Sequence, residues 1–387
     1  MKLLYTCADH ASDPLHWSGT VSNCRNALEN AGVKLAVFDR IPFECPPPLR
    51  LLHQWYKRLG TRTHHLQFEP AVLRRAAARI ATRFAEGDCD AVFCPGTGVP
   101  VAAYLPASIP VVSYLDATKR SWIETYFGLK TLCARSRRHL AAVDLGGLIN
   151  HSLTVFSSDW ARAEAAGDYQ MPSDRMAVVP FGANLADPPP RASVESWIGS
   201  RRREPFRLLF LGKEWIRKGG PDALALIRSL RKLGQPATLD IVGCTPVLDA
   251  EERAYARVHG FIDHSQHAGA ERFHTLLREA HVLLFLSRAE AYGIALCEAA
   301  AFGVPAYALR VGGIPTIVRH GENGWLGAAP FHADTAAATL ATAWRSPTEY
   351  RRVALAARTD YEARLNWRVA GQSLRRHIEQ SLTRRAS

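Results

Sequence analysis

The stretch 282–326 constrains the fold more than any other part of the chain, because it contains a complete series of strand, loop, helix and strand. Residues 282–286 are all apolar and mostly bulky, which is typical of a strand buried on both faces of a parallel sheet. Glu290 follows in the loop, Gly293 predicts a helix start, and Gly303 predicts its end. This order of elements predicts a doubly wound α/β domain, whose ligands bind at the carboxyl ends of the strands.

Two glutamates lie on either side of Gly293. A glycine at a helix start lets a ligand approach the backbone, and the free N–H groups there favour phosphate. Glu298 lies roughly 7 Å along the helix axis from this glycine, at about 1.5 Å per residue, which is about the reach from a diphosphate to the ribose of one nucleotide. The spacing therefore assigns sugar hydroxyls to Glu290, diphosphate to Gly293 and ribose to Glu298. Exposed helix charges are the alternative, and the surrounding pattern favours the ligand.

A second loop of the same kind follows the predicted strand 207–211. It contains Gly212, Lys213, Arg217 and Lys218, and paired glycines lead from it into the next helix. Lysine supplies a point charge for phosphate oxygens, so two cations and paired glycines after a strand predict a diphosphate site. A solvated turn is the alternative, and the two glutamates of the later loop favour the phosphate.

Together these motifs resemble the donor site of retaining GT-B glycosyltransferases, specifically family 4, also called glycosyl transferases group 1. The family pattern is an acidic residue, an aromatic-glycine pair, a second glutamate, a Gly-Gly-x-Pro turn and a Gly-x-Asn-Gly-x-Leu hairpin. The matching residues here are Glu290, Tyr292-Gly293, Glu298, Gly312-Gly313-Ile314-Pro315 and Gly321-Glu322-Asn323-Gly324-Trp325-Leu326. Thr316 replaces the usual glutamate of the turn, and Lys213 stands where arginine is usual. The run 178–184 near the end of the first domain also resembles the family.

The resemblance implies a GT-B fold, in which two doubly wound Rossmann-like domains face each other across a cleft. A length of 387 residues suits two such domains. We expect an acceptor-side domain at 1–188, a Pro-, Ser- and Arg-rich linker at 189–205 and a nucleotide-sugar donor domain at 206–350. The remainder, 351–387, is expected to be a helix that crosses back to the first domain.

The resemblance also implies a retaining, hexosyltransferase-like enzyme that moves a sugar from a nucleoside diphosphate sugar to an acceptor hydroxyl, without a metal ion or cofactor. Polysaccharide, glycolipid and other glycoconjugate synthesis are the expected settings. The implied catalytic residues are Asp116, Lys218 and Glu290. The implied donor-binding residues are Gly19, Gly212, Lys213, Arg217, Lys218, Glu290, Ala291, Tyr292, Gly293, Ile294 and Glu298. A non-catalytic nucleotide-sugar-binding protein and a GT-B epimerase or phosphorylase remain open alternatives.

The first domain offers two candidate residues and one pattern that we set aside. The glycine loop that ends at Gly19, before the first helix, resembles the loop that GT-B enzymes place near the transferred sugar. Asp116 follows the predicted strand 111–115, where many family members carry a histidine for acceptor-side chemistry. Capping of the next helix is an equally good interpretation of Asp116. Asp88 and Asp90 form an Asp-x-Asp pattern but precede their strand, so we interpret them as solvated residues rather than metal ligands.

The net charge of +12 indicates an anionic partner. No nucleic-acid-binding motif accompanies this charge, so a phosphorylated substrate or a membrane surface is favoured. Between Arg50 and Arg83, eight basic residues accompany one acidic residue, Glu69, at broadly helical spacing. This pattern predicts peripheral contact with an anionic membrane, with Arg75 and Arg79 sharing one helix face with Arg83. An ordinary solvated helix face is the alternative.

The chain also lacks sequence features of export. Its first residues lead into a strand rather than a signal peptide, and no apolar run approaches the roughly 20 residues that span a bilayer. The eight cysteines are scattered without metal-ligand spacing, which is typical of reduced thiols. We therefore predict a cytoplasmic location, at the inner face of the membrane if the basic segment binds lipid.

Overall fold

The chain forms two compact units in a computed structural model that describes residues 1–8, 10–13, 16–96, 99–263 and 266–386. The first unit comprises Met1–Phe181 and Trp367–Ser387, and the second comprises Gly182–Asn366. Each unit is built on a parallel sheet with helical connections. The predicted α/β class is confirmed.

Within the described ranges, six strands form the sheet of the first unit. They are β1 (Lys2–Thr6), β2 (Lys34–Phe38), β3 (Ala91–Pro95), β4 (Val111–Leu115), β5 (Leu153–Phe156) and β6 (Met176–Val178). All neighbours pair in parallel, in the order β2-β1-β3-β4-β5-β6. Every residue of β3 and β4 is buried, as expected of central strands in a parallel sheet.

Helices connect the strands of this unit. They are α1 (Thr20–Asn30), α2 (Pro47–Leu59), α3 (Pro70–Glu86), α4 (Val99–Ala102), α5 (Lys119–Tyr126), α6 (Ala134–Asn150) and α7 (Asp159–Tyr169), with short 3₁₀ helices at His16–Gly19, Leu66–Phe68, Leu129–Thr131 and Ser173–Arg175. Helix α3 buries Leu73 and Ile80 in a core that also contains Leu4, Val92 and Val111. Helix α2 buries none of its residues.

The sheet of the second unit has the strand order of a dinucleotide-binding fold. Its strands are β7 (Phe206–Leu211), β8 (Ala237–Val242), β9 (Ala256–Gly260), β10 (Val282–Phe285), β11 (Ala306–Leu309) and β12 (Gly324–Gly327). They pair in parallel in the order β12-β11-β10-β7-β8-β9. The direction of winding reverses between β7 and β10, so the loops after these two strands border the crevice where such sheets bind ligands.

The helices of the second unit follow the same alternation. They are α8 (Arg191–Ser200), α9 (Gly220–Lys232), α10 (Ala250–Arg253), α11 (His267–Glu279), α12 (Ile294–Ala301), α13 (Ile314–Ile317), α14 (Ala333–Arg345) and α15 (Pro347–Arg364). The last helix, α16 (Trp367–Ala386), lies in the first unit. Leu208, Ile227 and Leu284 are fully buried in the core of the second unit.

The predicted linker 189–205 is not a linker in the structure. It contains α8, which begins after Pro190 and buries Val194 and Ile198 in the core of the second unit. An apolar pair four residues apart can anchor a helix even where Pro, Ser and Arg dominate the composition. The predicted single helix 351–387 is also divided, because α15 ends before α16 begins, and the two helices lie in different units.

Close packing of α16 on α1 gives a stability prediction for the first unit. A Cβ atom at Gly371 would lie only 2.2 Å from the backbone oxygen of Ala27. Gly371→Ala should therefore lower the free energy of unfolding by about 2 kcal/mol, the usual cost of overpacking, as measured by urea denaturation. The exposed neighbour Gln372 supplies the control Gln372→Ala. Helix propensity alone would stabilise the Gly371→Ala protein by about 1 kcal/mol, so a gain in stability would contradict the close contact.

Candidate functional site

Two loops meet at the point where the winding of the second unit's sheet reverses. The loop 212–219 follows β7, and the loop 286–293 follows β10. Gly219 has a φ of 78°, in the left-handed region that favours glycine. A Cβ atom there would lie 2.3 Å from the Leu286 carbonyl oxygen, so a glycine is required for the loops to come this close.

Lys218 and Glu290 form an ion pair where these loops meet. Their side chains are only 17% and 10% exposed, so each of these two charges stabilises the other where little water reaches them. Lys218 Nζ also lies 4.7 Å from the centre of the Phe285 ring, within the range of a cation–π contact. A Cβ atom at Gly212 would lie 2.9 Å from Lys218 Cγ, so this glycine makes room for the lysine stem.

Arg217 links the two loops rather than facing an open surface. Its guanidinium donates to Glu214 at 3.0 and 2.6 Å and to the Ala289 carbonyl at 2.8 Å. These bonds hold the pKa of Glu214 below its ordinary value. The backbone N–H of Arg288 also donates to the Arg217 carbonyl at 2.9 Å. Arg217 therefore positions the second loop, and its direct contact with a diphosphate stays a prediction.

Lys213 is exposed and contacts a different group. Its Nζ lies 5.0 Å from the centre of the Phe261 ring, just beyond β9. Phe261 is itself 57% exposed, which is unusual for a phenylalanine. The lysine thus adds positive charge to the rim that the carboxyl ends of the strands form.

Helix α12 begins as the sequence predicts, with Gly293 as its N-terminal cap at a φ of 104°. Ala291 and Tyr292 are buried beneath this turn, and the Ala291 carbonyl accepts a hydrogen bond from the N–H of Gly313 at 3.2 Å. Ile294 is only half-buried in the first turn. The start of α12 is therefore firmly placed, and the backbone N–H groups at a helix start favour an anion.

Glu298 is buried in the middle of α12, and burial raises the pKa of its carboxyl to about 7. The backbone of Asn184 provides a hydrogen bond that opposes this rise. Asn184 belongs to the second unit and was not among the predicted site residues, although it closes the family-like run 178–184. Phe285, under the Lys218 ammonium, was also missed, because a strand phenylalanine carries no signal that separates a ligand-site role from a core role.

In the first unit, Trp17 connects the two candidate residues Gly19 and Asp116. The indole Nε1 of Trp17 donates to Asp116 Oδ2 at 3.2 Å. The Trp17 ring packs edge-on against the Phe181 ring, with 5.3 Å between the ring centroids. Trp17, Ser18 and Gly19 have φ angles of 46°, 56° and 82°. Trp17 and Ser18 are not glycines, so each stores strain of about 1–3 kcal/mol in this left-handed backbone conformation, and such strain is common at ligand-binding loops.

The interpretation of Asp116 as a helix cap is wrong. The cap of α5 is Thr118, whose side chain accepts from the Ser121 N–H at 3.0 Å. The buried carboxylate of Asp144 accepts from the N–H groups of Lys119 and Arg120, so further donors of the first turn are also satisfied. The N-cap position is thus filled by Thr118, and the catalytic role of Asp116 stays a prediction.

The Asp-x-Asp pattern lies immediately before β3, as predicted, and Asp90 accepts a hydrogen bond from the Lys2 N–H at 2.7 Å. Over the described ranges, no three His, Cys, Asp or Glu side chains gather into a group that could hold a metal ion. In the same part of the chain, no helix has the length and apolarity needed to cross a membrane.

Comparison with known sequences finds a family match within the second unit. Residues 195–360 match the family model described as "Glycosyl transferases group 1". Glycogen synthase of Mycobacterium tuberculosis (strain ATCC 25618 / H37Rv) is 29% identical over 173 residues, which are 43% of this chain and 41% of that synthase. The chain thus matches less than half the length of this relative.

Two solved structures resemble the whole chain. Sucrose-phosphate synthase from Thermosynechococcus elongatus has a TM-score of 0.69 at 18% identity and covers 100% of both chains. HepE from Anabaena, solved in complex with UDP, has a TM-score of 0.64 at 17% identity and covers 98% of this chain and 100% of its own. Similarity at these identities shows the fold alone, and the predicted GT-B fold class is confirmed.

Proposed function

From the match of residues 195–360 to the family model of group 1 glycosyltransferases, we propose that the protein moves a sugar from a nucleoside diphosphate sugar to an acceptor hydroxyl. The ion pair between Lys218 and Glu290 carries the proposal. It lies where doubly wound sheets bind nucleotides, beside the glycine-started helix α12 and the buried Glu298. A cation, a helix start and two carboxylates are the groups that diphosphate, sugar and ribose require.

Each part of the donor has a partner in this proposal. The diphosphate binds Lys218 and the first turn of α12, because both present positive charge. The sugar hydroxyls donate to Glu290 and the ribose hydroxyls to Glu298, since a carboxylate only accepts hydrogen bonds. Lys213 adds charge for the diphosphate from the rim. The UDP complex of Anabaena HepE makes uracil the first base to test.

The chemistry follows from the charge that develops on the leaving group. As the bond between the sugar and the diphosphate breaks, negative charge gathers on the departing phosphate, and Lys218 with the α12 start stabilises it without a metal ion or cofactor. We propose front-side attack by the acceptor hydroxyl, whose proton passes to the departing phosphate, so that the anomeric configuration is retained. Asp116 of the first unit orients the acceptor in this scheme.

The acceptor that we propose belongs to a cell-surface polysaccharide, a glycolipid or a related glycoconjugate, reached at the cytoplasmic face of a membrane. The net charge of +12 supports an anionic surface or a phosphate-bearing carrier on the acceptor side.

A thermal-shift screen of nucleoside diphosphates and their sugars, beginning with UDP, tests the donor. A ligand at a hundred times its Kd should stabilise the protein by about 2.7 kcal/mol. Turnover then separates the alternatives: acceptor-dependent release of the nucleoside diphosphate identifies a transferase. Isomerisation of the donor without an acceptor would identify an epimerase. Formation of a sugar 1-phosphate from inorganic phosphate would identify a phosphorylase. Nucleotide binding without any turnover would identify a non-catalytic protein. No binding of any nucleotide would overturn the proposal.

Glu290→Gln should lower kcat while leaving the Kd for free UDP unchanged or slightly lower. Free UDP has no sugar to contact Glu290, and the substitution releases Lys218 from its buried partner. The comparison is Glu298→Gln, which removes a ribose acceptor and should weaken UDP binding directly. Isothermal titration calorimetry and steady-state kinetics on both proteins distinguish the roles. Equal loss of UDP affinity in the two variants would contradict the assignment.

A further inference from the structure

Helix α2 in the first unit exposes a row of large apolar side chains. Leu51, Trp55 and Leu59 follow one another at intervals of one helical turn and are 68%, 53% and 72% exposed. No residue of α2 is buried. Single exposed apolar residues are ordinary, but a contiguous row of three marks an interaction surface.

The other side of α2 is anchored, so this row has a fixed orientation. Tyr56 stacks on the ring of His64 at 5.1 Å between centroids, and the Nδ1 atoms of His53 and His64 lie 3.3 Å apart. His64 is in turn held by the buried carboxylate of Glu69 at 2.8 Å, which also binds Arg135 through two hydrogen bonds. The contacts of α2 with its own unit therefore keep the apolar row facing outward.

The segment around the row is purely basic. Arg50, Lys57, Arg58 and Arg62 are all exposed, and no acidic residue occurs from 45 to 68. None of these four forms an ion pair with another residue in the part of the chain that the structure describes. Arg58 lies seven residues beyond Leu51, on the same side of the helix. The row thus has cations beside it and no internal partner to neutralise them.

The basic segment from Arg50 to Arg83, for which membrane contact was predicted, also includes α3, and α3 lacks such a surface. Its apolar residues Leu73 and Ile80 are buried in the core of the first unit. Arg79 pairs with Glu44, and Arg83 pairs with Glu86. The basic residues have the predicted helical spacing, but α3 has no exposed apolar face of its own, and membrane contact by the segment from Arg50 to Arg83 stays a prediction.

We propose that α2 docks the protein on an anionic lipid surface. Leu51, Trp55 and Leu59 enter the boundary between headgroups and acyl chains, while the basic residues beside them contact anionic headgroups. Tryptophan favours this boundary because its ring is apolar and its N–H is polar. A second copy of the chain is a poorer occupant, because a two-fold contact through α2 brings like charges together. The proposal rests on the proposed function only in taking a membrane as the place of the acceptor.

Co-sedimentation of the full chain with vesicles tests this proposal. We expect binding to phosphatidylglycerol-containing vesicles, little binding to pure phosphatidylcholine, and a fall in binding with added salt. Replacing Leu51, Trp55 and Leu59 together by Gln should reduce binding at least about tenfold, since the apolar insertion is lost. Replacing Arg50, Lys57 and Arg58 together by Glu should abolish it.

The matched control is Arg75→Glu, Arg79→Glu and Arg83→Glu on α3, which makes the same charge change in the same unit and should cost much less binding. Circular dichroism and the UDP thermal shift confirm folding of every variant. Greater loss from the α3 variant than from the α2 charge variant would overturn the proposal, as would equal binding to neutral vesicles. Loss of self-association instead of lipid binding in the Gln variant would identify a second copy as the occupant. If the wild-type protein binds UDP but no vesicles, the α2 proposal alone is rejected. If it binds vesicles but no nucleotide, the proposed function alone is rejected.

Discussion

Lys218→Ala should lower kcat/KM by about a hundredfold or more, a loss on the order of 3 kcal/mol that is typical of removing one preorganised donor to a developing anion. The lysine is nearly buried and fixed by Glu290 and the Phe285 ring, so it needs little reorganisation as the leaving group gains charge. Steady-state kinetics with the donor found by thermal shift measures the effect. Lys213→Ala is the control and should cost far less, because that side chain is exposed and lies beside the rim aromatic Phe261.

The same role for Lys218 predicts that activity survives EDTA. A fixed ammonium beside a helix start can supply the charge that a divalent cation supplies in Asp-x-Asp transferases. Complete inactivation by EDTA, with recovery on addition of Mn²⁺, would contradict this role. A metal requirement that emerges only in Lys218→Ala would instead support it.

Glu298→Gln should stabilise the empty protein above pH 7. The carboxyl has an ordinary pKa of 4.5, which burial raises to about 7 in the folded protein. The folded state therefore binds this proton more tightly than the unfolded chain, and stability is lost as the pH rises from about 4.5 to 7. A glutamine is neutral throughout this range. The gain in the free energy of unfolding above pH 7 is on the order of 3 kcal/mol and should vanish below pH 4, as urea denaturation at several pH values can show.

Without nucleotide, the folded protein favours the protonated carboxyl of Glu298. A bound nucleotide should favour the ionised form instead, because in the proposed site the ribose hydroxyls donate hydrogen bonds to it. We expect the affinity of the wild-type protein for UDP to rise between pH 6 and pH 8. In Glu298→Gln the affinity should be at least about tenfold lower at pH 8 and nearly independent of pH. A variant that is less stable at pH 8, or that binds UDP as tightly as wild type, would contradict the ribose assignment.

The fold could be predicted largely because its signals are local. The apolar run 282–286 indicates a buried strand without help from any other part of the chain. Gly293 predicts a helix start because the chain there needs a positive φ. Strands and helices alternate, and this alternation leaves few topologies besides a parallel sheet. The linker prediction failed because composition averages over the segment, whereas two apolar residues, Val194 and Ile198, were enough to fix α8.

Sequence reasoning placed Lys218 and Glu290 in one candidate site but did not predict the contact between them. Lys218 and Glu290 are 72 positions apart, and only the strand order puts their loops side by side. Asp116 was equally plausible as a cap, because the sequence does not show that Thr118 already fills that position. The solvent-facing row on α2 was hidden for a similar reason, since periodicity identifies an apolar face without telling whether the core covers it.

The contact between Lys218 and Glu290 also affects which ligands the site accepts and how fast it releases the nucleotide product. Inorganic phosphate or pyrophosphate that approaches Lys218 must displace Glu290 and leaves that carboxylate buried without a donor, so binding is penalised. A nucleotide-sugar bound as we propose would avoid the penalty, since its hydroxyls would reach Glu290 while its phosphates reach Lys218. After transfer the sugar is gone, Glu290 again lacks a donor, and its renewed attraction for the lysine works against the spent nucleotide. One internal pair can thus reject incomplete ligands and hasten departure of the product.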